Sequence, residues 1–473
     1  MKLPKVALIS LGCPKNLVDS EKILGRVAEN GCVICQNPED ADVLIVNTCG
    51  FIESAKEESI DTILEASKLK TASSASGRYS RLIVTGCLAQ RYKESLRTEI
   101  PEIDNVIGLG EFDTIADLIN PTLPSPSNGK GRSVETRCGD DWKTRLRLTP
   151  KHYAYLRISE GCNNPCTYCA IPAIRGPFRS RPLKQIIEEA EQLAIDGAKE
   201  LNIVAEDTTA YGIDLYKEQR LHTLLRKLSR IDSVHWIRLL YTHPAHFYSE
   251  LIEEIARNEK VCKYIDLPIQ HINNEILKRM GRKVTRIQIE RLIEELRSKV
   301  PGLFIRTSVI VGFPGETEKQ FDELLRFIED TAFERLGAFT YSKEEGTKAA
   351  NMKKQASKKT QERRLEQVMS VQQKIAFKKN KQMIGKTLEV LIEERARIEG
   401  ARNGFRGWLG RSYGDAPDVD SNVLVQGTVP IPLIYKAGRR ATVGNFCQVL
   451  ITDTKDYDLC GVQNAEFGMR SAE

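Results

Sequence analysis

Short apolar runs alternate with amphipathic stretches over the first 120 residues: VALIS at 6–10, VLIVN at 43–47, LIVT at 82–85 and NVIG at 105–108. Continuous apolar runs set between helical stretches predict a parallel, doubly wound α/β sheet with both faces covered. A Pro/Ser/Gly-rich segment, PTLPSPSNGKGRS from Pro121, carries too little apolar surface to pack and reads as a linker. A second series follows, YAYLRI, LNIVA, HWIRLLY, YIDLPIQ, FIRTSVIVG and RLGAFTY, and every run but the last leads into helix-like sequence. Six strand-helix units predict a partial (β/α)6 barrel. Ile186, Ile187, Ala190, Leu193 and Ala194 share one helical face, and Gly197 closes that helix before the next strand. Residues 343–381 are rich in Lys, Gln and Glu and read as an exposed connecting helix. From about Gly385 the strands LEVLIEE, GWLGRS, NVLVQG and FCQVLITDT are broken by turn residues, which predicts a small antiparallel β-barrel. These shifts of pattern divide the chain into residues 1–125, a linker at 126–148, a barrel unit at 149–380 and a terminal barrel at 381–473.

Composition narrows the class without choosing a substrate. The 473 residues are 41% hydrophobic and 28% charged, the balance of a soluble globular protein. No apolar run is long enough to span a bilayer, and the first residues run straight into a strand, so a cytoplasmic protein with no membrane partner is expected. Twelve cysteines are too sparse for a disulfide scaffold and should serve as thiols, metal ligands or catalysts. A net charge of +6 permits a nucleic-acid partner without requiring one.

Cys162, Cys166 and Cys169 form C-x3-C-x2-C in the loop after the first barrel strand, on the face where barrel enzymes build their sites. Soft thiolates select zinc or iron-sulfur clusters. A structural zinc site needs a closed fourth position, and the nearest histidine, His152, lies before the strand. Three cysteines therefore leave one iron of a cluster open to chemistry. Cys13 in LGCPKN, Cys49 in NTCGF and Cys87 in TGCLAQR each follow a strand, and in a parallel sheet such positions converge along one edge. Gly12, Gly50 and Gly86 beside them allow close backbone approach. Cys32 and Cys35, a C-x-x-C pair on a short strand, should be split between the two faces and serve packing. Cys138, Cys262, Cys447 and Cys460 are isolated and read as packing residues.

The motif C-x3-C-x-aromatic-C, met by Cys162, Cys166, Tyr168 and Cys169, resembles that of the radical S-adenosylmethionine superfamily. With the N-terminal triad and the terminal barrel, nearly the whole chain resembles the methylthiotransferases. That resemblance implies two 4Fe-4S clusters, one on Cys13, Cys49 and Cys87 and one on Cys162, Cys166 and Cys169. It also implies S-adenosyl-L-methionine bound at the open iron of the second cluster, Tyr168 beside its adenine, and a terminal TRAM domain that binds a macromolecular substrate. The segment Glu206-Asp207-Thr208-Thr209-Ala210-Tyr211-Gly212 stands where the family has a cofactor-proximal motif beginning with Gln; Glu206 replaces an amide donor with an acceptor. Glu206, Asp207 and Arg306 are thus cofactor candidates, with Arg238 and Arg175 as further guanidinium partners for a carboxylate. His243, Gln270, His271 and the Gly312-Phe313-Pro314-Gly315 loop also sit at strand ends.

LGCPKNLVDSE at 11–21, SEGCNNPCTYCAIPAIRGPFRSRP at 159–182 and GRSYGDAPDVDSNV from Gly410 look like the RimO type, which implies an aspartate of ribosomal protein S twelve, free or in the small ribosomal subunit, as the target. A transfer RNA adenosine methylthiotransferase and a non-catalytic iron-sulfur binding protein are the alternatives. A domain that grips RNA should carry excess Lys and Arg, yet residues 381–473 hold 12 Lys+Arg against 12 Asp+Glu, no net charge. Asp415, Asp418 and Asp420 would suit a basic protein loop as substrate-binding residues, and geometry equally allows them as turn residues. The chemistry further implies a sulfur donor and an electron donor such as a flavodoxin or ferredoxin.

Overall fold

The computed structural model describes residues 3–71, 81–119, 143–397, 406–426 and 443–463; most of the expected linker, with Cys138, lies outside them. The N-terminal unit runs β1 (Lys5–Ser10), α1 (Pro14–Glu29), β2 (Val33–Ile34), β3 (Val43–Thr48), α2 (Glu53–Thr71), β4 (Arg81–Gly86), α3 (Cys87–Arg91), β5 (Asn105–Ile107) and α4 (Asp113–Ile119). Its sheet order is β2-β1-β3-β4-β5, with every pairing parallel. Ile23, Val27 and Ile115 cover one face while Ile63, Ala66 and Leu88 cover the other, which is the doubly wound arrangement. Cys32 falls in the first of these clusters and Cys35 against the second, so alternation does split the pair.

The central unit begins with β6 (Tyr153–Arg157), α5 (Ile171–Arg175) and α6 (Leu183–Ile195) and continues through β7 (Glu200–Val204), β8 (Trp236–Leu239), β9 (Val261–Asp266), β10 (Phe304–Val311) and β11 (Arg335–Thr340). These six strands form one parallel sheet in sequential order, so the barrel is open. Ala154, Leu156, Leu201, Ile203, Ile237, Leu239 and Ile265 face outward onto helices, where Ile186, Ala190 and Leu193 of α6 meet them. The alternate residues face inward: Tyr153, Tyr155, Trp236, Cys262 and Tyr264. Because six strands do not close, this inner face needs cover from elsewhere. Leu17 and Val18 of α1 supply it from one side, and Leu391, Ala416, Tyr413 and Phe446 of the terminal unit from the other.

α7 (Lys358–Lys381) is not the exposed connector its composition suggests. Arg364, Val368, Gln372, Ala376 and Asn380, spaced four apart, are buried against the edge of the sheet, with Arg364 paired to Glu316 at 2.9 Å. Only two of those five residues are apolar, so hydrophobic periodicity could not reveal the face.

The terminal unit closes β12 (Thr387–Arg397), β13 (Arg406–Ser412), β14 (Val423–Gln426), β15 (Phe446–Lys455) and β16 (Asp458–Gln463) into a barrel, order β12-β13-β14-β16-β15. It departs from the antiparallel expectation at one seam, where β14 and β16 pair in parallel. A buried charge network fastens it to the central unit: Arg411 reaches Glu200 at 2.6 Å and Glu393 at 2.7 Å, and Arg238 reaches the same Glu200 at 2.8 Å.

Candidate active site

The loop from Ser159 to Gly176 carries the central triad. The Cys162 N–H donates to the Gly176 carbonyl at 3.1 Å, the Cys169 N–H to the Cys166 carbonyl at 3.3 Å, and the Asn164 N–H points to Cys162 Sγ at 3.4 Å. A second segment, Met280-Gly281-Arg282, clasps the loop from outside: Thr167 N–H donates to the Met280 carbonyl at 2.9 Å. Gly281 has φ of +71°, and a Cβ there would lie 2.3 Å from the Pro165 carbonyl oxygen, so only glycine lets the segment approach this closely. All three cysteines line a cavity of about 560 Å³ whose other walls include Arg91 of α3 and Glu345 to Lys348. Tyr168 packs among Ile276, Met280, Phe313 and Tyr341.

The N-terminal triad sits at the carboxyl edge of its sheet, as strand-end placement predicts. Cys13 caps α1, Cys49 follows β3 and Cys87 opens α3. A Cβ on Gly12 would fall 2.7 Å from Cys49 Cβ and 3.0 Å from its Sγ. One on Gly50 would collide with the Leu88 backbone at 2.8 Å. Asn16 ties the edge together by donating to the carbonyls of Leu11 (3.1 Å) and Thr48 (2.8 Å), while its Oδ1 lies 3.4 Å from Cys87 Sγ. Burial pushes the Cys87 and Cys169 thiols up to about 12 and Cys162 to about 11, and raises Cys49 as well. Buried thiols of this kind are neutral until a metal supplies the compensating charge. Two sets of three sulfur donors, with Gly12 and Gly50 packed against one set and Gly281 against the loop that carries the other, fit two iron-sulfur clusters that would each keep an open iron.

The two triads are neighbours. Cys87 packs against Ala170 and Ile174 just beyond Cys169. Arg175 lies 3.5 Å from Cys87 Sγ, 2.7 Å from Asn16 Oδ1 and 2.9 Å from Asp19. Asp19 also accepts from Arg157 at 2.5 Å, so α1 is bolted to both β6 and α5. Lys15, 8% exposed, stacks its Nζ 3.7 Å over the Tyr241 ring, and its charge is felt at both Cys13 and Cys169. Glu206, with a side chain 4% exposed, shares that space; Arg175 Nε is 3.7 Å away, and among the described residues neither carboxylate oxygen has a hydrogen bond. Burial raises its carboxyl above the ordinary range.

The remaining candidates divide by partner. Asp207 accepts from Asn164 Nδ2 of the cluster loop at 2.8 Å, from Thr209 at 2.6 Å and, at 2.7 Å, meets His246. Burial alone would raise its carboxyl, yet His246, His243 and Thr209 hold it down to about 2. His243 stacks on His246 at 4.7 Å, and burial pushes its imidazole down to about 3. Donor atoms of Asp207, His243 and His246 lie within 4.8 Å of one another, but Asp207 is already fully engaged. Arg306 pairs with Asp266 at 2.9 Å and Asp420 at 3.4 Å on the inner face, and Arg238 is held by Glu200. His271 faces Glu316 at 3.4 Å. Asp415 is buried in a pair with Arg335 at 2.6 Å, and Asp420 accepts from Tyr264 at 2.6 Å; Asp418 is exposed, with Tyr155 at 3.2 Å. All three acidic side chains therefore bond to the central sheet, and of the three only Asp418 remains exposed.

Sequence reasoning overlooked three residues here. Arg282 is buried, its Nη1 lies 4.0 Å from Cys166 Sγ, and its Nε has no acceptor among the described residues. Lys15 and Asn16 stand inside a motif already singled out, where a polar residue in a first helical turn reads as surface.

Three family descriptions match in succession: an uncharacterized protein family, UPF0004, over residues 5–108, the radical SAM superfamily over 156–328 and the TRAM domain over 384–463. A protein of Clostridium novyi named ribosomal protein uS12 methylthiotransferase RimO is 46% identical over 98% of this chain and 99% of its own length. Proteins of the same name from Desulforamulus reducens and Geobacter sulfurreducens are 47% and 45% identical over 97% of this chain and 99% and 98% of theirs. Among the described residues, no helix is long and apolar enough to cross a membrane.

Proposed function

From the premise that the chain belongs to the ribosomal protein uS12 methylthiotransferase RimO family, we propose that it inserts a methylthio group at the β-carbon of an aspartate in ribosomal protein uS12. It is a radical S-adenosylmethionine enzyme. The observation that carries the finer reading is the adjacency of the two thiol triads, with Cys87 packed on the helix that begins just after Cys169. When bound, the cluster on Cys162, Cys166 and Cys169 supplies reductive cleavage of S-adenosylmethionine and the one on Cys13, Cys49 and Cys87 supplies a coordinated sulfur.

The protein's own residues orient the parts and exclude water. Asp207 holds the cluster loop through Asn164, while Tyr168 closes the apolar side of the cofactor space. Arg306 is committed to two aspartates, which leaves Arg282 as the guanidinium facing the cluster loop and the partner for the cofactor carboxylate. Glu206 sits where an amide would donate; as an acceptor its role lies toward the space between the triads. Asp418 keeps the exposed carboxylate through which the terminal barrel meets a basic partner. A small electron carrier of the flavodoxin or ferredoxin kind, a sulfur donor and a cytoplasmic location complete the reading.

Enzyme reconstituted anaerobically with iron and sulfide should yield about two four-iron clusters per chain. With S-adenosylmethionine and reductant it should add one methylthio group to uS12, read by product mass, and leave transfer RNA unmodified. Cys162→Ala should abolish 5'-deoxyadenosine formation; retained formation refutes the assignment of that triad.

A further inference from the structure

Between the two triads stands a cation with no anion bonded to it. Lys15 is 8% exposed, and among the described residues it makes no hydrogen bond or ion pair; its close contact is the face of Tyr241 at 3.7 Å. A buried ammonium without an acceptor is costly unless a ligand completes it. The nearby guanidiniums are not in this condition. Arg175 is paired with Asp19 and Glu160, and Arg157 with Asp19 and Glu160.

The platform under Lys15 is built. Tyr241 has φ of +58°, a left-handed conformation that costs a non-glycine residue and persists only where surroundings enforce it. Asp266 accepts its N–H at 2.8 Å, and its carbonyl accepts from the Thr208 N–H at 3.0 Å and the Thr208 hydroxyl at 3.2 Å. Glu206, buried and, among the described residues, without a hydrogen bond on either oxygen, borders the same space, a second polar group left open there.

We infer that Lys15 is the substrate-recognition cation, its ammonium binding the side-chain carboxylate of the target aspartate between the two clusters. This rests on the aspartate reading above and deepens it. A carboxylate gripped there presents its neighbouring β-carbon to the gap that separates the two cluster sites. An amide in place of the carboxylate would leave the ammonium without its counter-charge, so the site rejects asparagine.

The test measures binding and product with the reconstituted holoenzyme and uS12 carrying Asp, or Asn in its place. Wild-type enzyme should favour Asp in Kd and in product formation by about 10- to 100-fold, the size of one charge-assisted hydrogen bond. Lys15→Met should bring that ratio close to one, and Lys15→Arg should restore most of it. Iron content establishes that both variants carry their clusters. Equal use of Asp and Asn by wild-type enzyme overturns the inference without any variant, as does an undiminished ratio in Lys15→Met. Wild-type enzyme that modifies no uS12 at all overturns the function and this inference together; one that modifies it without discrimination overturns only the inference.

Discussion

Replacing Gly12 with Ala tests whether the N-terminal triad is a built metal site. The residue has φ of +87°, where a side chain costs about 1–2 kcal/mol. The added methyl would lie 2.7 Å from Cys49 Cβ, whereas non-bonded carbons settle at about 3.5–4.0 Å. Cys49 must therefore retreat by about 1 Å, while metal-ligand distances tolerate about 0.2 Å. The backbone penalty alone is worth roughly a tenfold change in an equilibrium, and the steric displacement removes the ligand from position. Gly12→Ala should lower bound iron from about eight to about four per chain, keep 5'-deoxyadenosine formation at the Cys162 site and abolish methylthiolated product. Gly385→Ala is the control: φ is +83° with nothing within 4 Å of the added methyl, so it carries the conformational cost without the collision and should load iron normally. Iron and sulfide assays with single-turnover product analysis decide the matter. A Gly12→Ala protein with full iron and normal product would refute the account of the glycine cradle.

Arg282→Ala should leave both clusters in place but raise the concentration of S-adenosylmethionine needed for cleavage about tenfold or more; unchanged affinity by titration would return the carboxylate contact to another group. Arg411→Ala removes the partner that Glu200 and Glu393 share and leaves Glu200 to Arg238 and Glu393 to His152, so the change should fall below the roughly 3–5 kcal/mol of an uncompensated buried charge. Limited proteolysis should then release the terminal barrel, and an intact digestion pattern would count against the junction as its fastening. Acid should act on the same class of contact. Burial alone would raise Glu189, but Arg181 and Arg145 hold it down to about 2 against an ordinary value of 4.5. A depressed carboxyl contributes its stability in full above about pH 4.5 and loses it as the pH falls toward 2, here about 3 kcal/mol. Denaturant titrations between pH 6 and 3 should show about 2 kcal/mol of that loss, and Glu189→Gln should flatten it; an equally steep fall in the variant would assign the acid response elsewhere.

What the chain reveals about itself depends on whether the cause is local. Cys162, Cys166 and Cys169 are close in sequence, so their gathering around one cavity is legible before any fold is known. Cys13, Cys49 and Cys87 needed only the inference of a parallel sheet, because strand ends fall on one edge. Lys15 carries no such mark. Two residues after a cap, behind Pro14, a lysine reads as a solvated first-turn residue; its burial arises from Tyr241, more than two hundred positions away in another unit. Arg282 is hidden similarly, since Gly281 is special only once Pro165 is known to press against it. The pairing of Asp415 and Asp420 is hidden in the sequence because the arginine and tyrosine that engage them, Arg335 and Tyr264, belong to the central sheet.

The open barrel explains why these long-range partners exist. A six-stranded sheet with Tyr155, Glu200 and Arg238 on its inner face leaves part of the hydrogen-bonding capacity of those groups to be met from other units. Asp418 meets Tyr155 and Arg411 meets Glu200, while Asp19 meets Arg157 at the end of β6. α1 is accordingly buried nearly all round although most of its first two turns are polar, because it lies between its own sheet and the mouth of the barrel. The same turns carry the Cys13 cap, Lys15, Asn16 and Asp19, so one helix brings together a cysteine of the N-terminal triad, a buried cation and the lock onto Arg157 and Arg175. Packing of this kind makes the separation of the two triads a property of the folded core, and Arg145, buried between Glu21 of α1 and Glu189 of α6, adds to the docking. A reaction that must deliver sulfur to a short-lived carbon radical requires a fixed separation, since a small displacement costs orders of magnitude in rate. Asp19→Asn, which weakens the lock without touching a cysteine, should therefore lower the yield of methylthiolated product per 5'-deoxyadenosine formed while both clusters stay loaded. An unchanged yield would mean that the docking of α1 does not control the transfer.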